Sequence, residues 1–81
     1  MNETPRALVG IRHALRGDWQ AAHDAVQDDS AESAWVHAAL HHAEGDLANA
    51  DYWYRLARLR RPAVAGRVEY EAIARELAAP R

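Results

Sequence analysis

Two Gly-Asp steps constrain this chain more than any other feature. Gly17-Asp18 and Gly45-Asp46 stand 28 residues apart, and their surroundings match in register. His13, Gly17, Asp18 and Ala22 fall on His41, Gly45, Asp46 and Ala50. Glycine adopts the left-handed conformation that closes a helix, and aspartate accepts from the free N–H groups that open the next. Each step therefore predicts a helix stop followed at once by a helix start. A unit of this kind, repeated, predicts stacked α-hairpins.

Taken in order, the residues predict four to five short helices in one all-α domain over residues 1–81. The first helix, about 5–16, has Thr4 as a cap, Pro5 at its first position, and Leu8, Ile11 and Leu15 at helical spacing. Gly10 weakens it by roughly 1 kcal/mol relative to alanine unless a neighbouring helix needs the close approach. The second helix, about 18–28, carries Trp19, Ala22 and Val26 on one stripe. Asp29 or Ser30 starts the third, about 31–44, with Asp29 and Glu32 at the spacing of a capping box. Hairpin 1 thus covers about 5–28 and hairpin 2 about 31–61.

The fourth helix is apolar on two sides. Leu47, Ala50, Tyr54 and Ala57 form one stripe beside Trp53, and Tyr52, Leu56 and Leu59 form another. A helix with two apolar sides is sandwiched between neighbours, so the fourth is expected at the centre. It runs to Arg61, where Pro62 breaks it. A capping helix, about 67–78, presents Val68, Ala72, Ile73 and Leu77, and is expected to cover the remaining stripe of helix four.

Gly45, Ala50, Tyr54, Ala57 and Pro62 have the spacing of the second half of a tetratricopeptide repeat. Ala50, Trp53, Tyr54 and Ala57 are similar to the Ala-x-x-Trp-Tyr-x-x-Ala helix of Sel1-like repeats. The resemblance covers residues 31–62 best and 6–28 in outline. The chain as a whole also resembles small bacterial proteins with a Trp-x-His, Gly-Asp, Tyr-Trp-Tyr pattern. The repeat resemblance implies a scaffold that binds a protein or peptide in a groove lined by first helices. Carried over residue by residue, that partner-binding groove shows Trp35, Ala39 and His42, extended by Ile11 and Leu15.

Charge is divided along the chain. Between Gly17 and Asp51 there are acids and no arginine; from Tyr52 to Arg67 there are five arginines and no acid. The two stretches are expected either to face solvent or to pair, within the fold or between copies. The hydrophobic share of 49% includes 19 alanines, so the core is thin for a domain of 81 residues, and a homodimer is expected. Net acidity, the absence of lysine and the lack of a reader motif argue against nucleic acid. No run is long enough for a membrane span, and the N-terminus shows no apolar leader, which predicts a cytoplasmic protein. Arginine without lysine, together with the alanine excess, suggests a GC-rich bacterial genome.

No Gly-rich phosphate loop, catalytic carboxylate pair or Ser–His arrangement occurs, so no enzyme and no cofactor are expected. The chain has no cysteine, which removes thiolate ligands and nucleophiles. His37 and His41 are the exception, standing at i and i+4, the spacing of metal ligands on a helix. A third ligand is sought in His13, Glu44 or Asn49. The alternative is that both histidines hydrogen-bond Asn49, Tyr54 or a carbonyl inside the hairpin. Periodicity turns them away from the apolar face, whereas the repeat alignment turns them toward helix four. Cover from helices two and four together reconciles the two and predicts both at least half buried. Trp53 and Tyr54 are expected in the core and Trp35 at the surface.

Overall fold

The computed structural model describes residues 4–80. Both Gly-Asp steps reverse the chain between helices. α1 (Arg6–Leu15) passes to α2 (Trp19–Ala25) through Gly17, and α3 (Ala31–Ala43) passes to α4 (Leu47–Leu56) through Gly45. The two glycines take φ of 81° and 84°. Asp18 N–H donates to His13 O and Asp46 N–H to His41 O, each at 3.0 Å, which closes the preceding helix. The aspartate side chains then accept from Ala21 N–H at 3.1 Å and Asn49 N–H at 3.3 Å. One dipeptide thus satisfies carbonyls on one side and amides on the other. The last helix is α5 (Arg67–Ala78), and no strand occurs among the described residues.

Helix ends depart from expectation at several places. α1 is capped at Pro5 without any side-chain bond, so Thr4 is not its cap. α2 stops at Ala25, and Arg6 Nε donates to the Ala25 carbonyl at 3.1 Å. Ser30, not Asp29, caps α3, its Oγ accepting from Ser33 N–H at 3.0 Å. Asp28 reinforces that cap by accepting from Ser33 Oγ and Ser30 N–H. These bonds favour its carboxylate and hold its pKa below the ordinary 3.8.

α4 ends at Leu56, short of the expected Arg61. Arg58 takes φ 62°, and Leu59 N–H donates to Tyr54 O at 2.9 Å, which repeats the glycine-type closure with no glycine to announce it.

α3 is the hub, touching all four other helices. Its Val36, Ala39 and Leu40 join Ile11, Val26, Tyr70 and Ile73 in the main core, while its Ala38 meets Ala50 and Tyr54 of α4. The expectation that helix four is central is therefore corrected. α5 is corrected too: it packs on α1 and α3 and does not pack on α4. The reason is which side chains turn inward. Tyr70 and Ile73 enter the α1–α3 core, Arg67 donates to Leu15 O at 3.3 Å, and Val68 stays outside.

Gly10 marks the tightest crossing. A Cβ there would stand 2.5 Å from Val26 Cγ1 and 3.2 Å from Ala22 O. α1 and α2 can approach this closely only because residue 10 has no side chain.

Candidate functional site

α3 is covered on nearly every side, and this resolves the two conflicting sequence arguments. His37 is 5% exposed and His41 7%, in agreement with the expectation that both are at least half buried. They lie between α2 and α4. The His37 ring stacks on Trp53 of α4, with centroids 3.8 Å apart and planes 10° apart. Its other neighbours are His41, one turn on at 5.1 Å, and His23 of α2, edge-on at 4.5 Å. His23 is in turn stacked on Trp19 at 4.9 Å, and its centroid lies 5.6 Å from that of His41.

The third imidazole is thus His23, which sequence reasoning missed. His13 instead sits beside Arg16. Spacing along α3 cannot announce a group on another helix, and the folded contact between α2 and α3 supplies it. One fastener of that contact is Trp19, whose Nε1–H donates to Leu40 O at 3.0 Å. Each of the three histidines offers a nitrogen within 4.8 Å of the others'.

Their environments differ. His41 Nδ1 lies 2.6 Å from Glu44 Oε1, so the imidazole donates from Nδ1, and Asn49 Nδ2 approaches Nε2 at 3.4 Å. Glu44 and Asn49 therefore orient His41 and stand outside the imidazole cluster. His37 Nδ1 is buried with no hydrogen-bond partner among the described residues. Burial first, and then the neighbouring His23 and His41, lower the His37 pKa from 6.5 to about 4. At neutral pH His37 is an uncharged imidazole with a free lone pair.

A second polar group lies across α3. His42 Nδ1 donates to Glu69 Oε1 at 2.9 Å, and the Tyr54 hydroxyl donates to Glu69 Oε2. All three are buried. Burial, followed by the Glu69 contact, pushes the Tyr54 phenol well above its ordinary range. This network satisfies a carboxylate inside the protein, with both Glu69 oxygens taken up by His42 and Tyr54.

The expected partner groove is not formed by the residues assigned to it. Ile11 and Ala39 are fully buried, and His42 is turned to Glu69, because α5 lies over α1 and α3 where the groove would open. Of the groove residues only Trp35 and Leu15 stay partly exposed, and both pack against the main core. Trp35 borders a different groove, about 380 Å³, walled by Leu59, Val64 and Val68 with Arg60 at the rim. A second groove is lined by Tyr52 and Leu56 with Asp28 and Asp29 at its edge.

Arg61 pairs with Asp51 at 2.8 Å, and no other ion pair joins the arginine stretch to the acidic one among the described residues. The pairing of that stretch with acids of α2 and α3 is therefore not made within the chain. No helix of the described residues is long and apolar enough to cross a membrane. No family model, curated protein or solved structure matches the chain.

Proposed function

We propose that this chain is a protein-interaction module that associates with a second copy of itself. The observation that carries this reading is the second apolar stripe of α4. Tyr52 and Leu56 are each 50% exposed, and no other helix among the described residues covers them. Leu59 continues the stripe toward Val64 and Val68, which are 55% and 63% exposed. Apolar surface grouped in this way gains free energy when it is covered, at about 25 cal/mol per Å².

Charge selects the occupant. One groove has Arg60 at its rim, and the other has Asp28 and Asp29. A two-fold axis that sets the basic groove of one copy against the acidic groove of the other satisfies both at once, as an isologous interface requires. The hairpin-repeat resemblance of residues 31–62 is consistent with a binding scaffold.

Light scattering tests the reading. The expected mass at low salt is that of a dimer, falling toward the monomer as salt screens the rims. Val68→Asp should give a monomer with unchanged helical circular dichroism, because residue 68 lies outside the core. A monomer at every concentration and salt, or a dimer indifferent to Val68→Asp, would overturn it.

A further inference from the structure

The three-imidazole cluster is separate from both apolar grooves and from the Glu69 network, and neither uses it. We propose that His23, His37 and His41 bind a divalent zinc ion that clasps α2 onto α3. Four observations support this.

The first is geometry. Zinc held by imidazoles at about 2.0–2.1 Å in a tetrahedral arrangement has ligand nitrogens about 3.4 Å apart, with ring centres about 5 Å apart. The three ring separations here, 4.5, 5.1 and 5.6 Å, bracket that value. The nitrogens, all within 4.8 Å of one another, need to draw in by up to about 1.4 Å to reach the bonded distance. Rotation of His23 can supply much of that movement, since its ring is partly exposed on α2 and has only the long 3.4 Å contact from Gln27 Nε2 to give up.

The second is the orphaned nitrogen. A buried polar atom without a partner costs free energy, and such atoms are rare in folded proteins. His37 Nδ1 is one, in a ring 5% exposed and set between the other two imidazoles and Trp53. A neutral imidazole is the form a metal takes, so no proton has to be displaced from His37 at neutral pH.

The third is the partner of His41. Its Nδ1 faces Glu44 Oε1 at 2.6 Å, which leaves Nε2 as the lone-pair nitrogen, and binding an ion there replaces the long 3.4 Å contact from Asn49 Nδ2. A carboxylate behind a ligating histidine fixes the tautomer and raises its basicity. Glu44 also places one negative charge near an ion that three neutral ligands leave uncompensated.

The fourth is donor chemistry. Three imidazoles with no thiolate and no carboxylate in the ring select the zinc–copper–nickel group over calcium or magnesium. Three protein ligands leave one position open, and the half-buried edge of His23 gives the ion a way in.

The test uses the full chain, stripped with chelator and titrated with zinc by calorimetry and by thermal unfolding. One ion per chain is expected, with a rise in melting temperature. Cobalt in place of zinc should show the strong visible absorption of a low-coordinate site. His23→Gln, which alters a partly exposed residue outside the apolar core clusters, should remove both signals. His13→Gln, outside the cluster, should keep them. Glu44→Gln should weaken binding by about 10–100-fold. Three results would overturn the proposal. One is no uptake by the folded wild-type chain. Another is uptake indifferent to His23→Gln and His37→Gln. The last is uptake that survives His37→Gln but is lost in Asp46→Asn, which would place the ion at the exposed His41, Glu44 and Asp46 group.

Discussion

The Tyr54 hydroxyl donates to Glu69 across a gap that the backbones do not bridge. Tyr54 lies on α4 and Glu69 in the first turn of α5, and these two helices do not pack together. His42 of α3 completes the link from the other side. A buried carboxylate is stabilised only while its partners remain. Tyr54→Phe should therefore lower stability by about 1–3 kcal/mol, and Glu69→Ala by about 3–5 kcal/mol. Denaturant unfolding of both variants and of the double variant checks this. The double should be less unstable than the sum, because the two share one network.

Stability should fall on mild acidification. The folded-state pKa of His37 lies at about 4, below the ordinary 6.5, so between these values the unfolded chain binds more protons. The His37 contribution is intact above pH 6.5 and is lost as pH drops toward 4, at up to about 1.4 kcal/mol per pH unit. Asp28 adds a further loss below 3.8. Thermal melts across this range should flatten between pH 6.5 and 4 in His37→Gln and keep their slope in His13→Gln.

Gly10→Ala should destabilise the chain, although alanine is the better helix former by about 1 kcal/mol. The added methyl meets Val26 and the Ala22 carbonyl, neither of which is the end of a flexible side chain. A net loss of about 1–3 kcal/mol is expected in chemical denaturation. A gain would mean that α1 and α2 separate freely.

Arg58→Gly should have the opposite sign. Arg58 takes the left-handed conformation at φ 62°, which costs a residue with a Cβ roughly 1 kcal/mol. The backbone closure from Leu59 N–H to Tyr54 O does not use the side chain, so glycine keeps it. A rise of a few degrees in melting temperature is the expected readout.

Residues near one another in sequence announced what is local in this fold. Gly17-Asp18 and Gly45-Asp46 determined two reversals and the helices flanking them, because a left-handed stop and an aspartate cap act within one turn of backbone. His37 and His41 were visible as a pair because four residues make one helical turn. What the chain could not announce was decided by which faces meet. The apolar stripes of α4 gave no indication that Tyr70 and Ile73 would carry α5 to α1 and α3, burying Ile11, Ala39 and His42 and leaving Tyr52 and Leu56 bare. Nothing in residues 18–28 set His23 apart until α2 lay against α3. Periodicity states that a side is apolar, but the choice among several apolar neighbours is made by shape and by partners for buried polar atoms, and these exist only once the helices are packed.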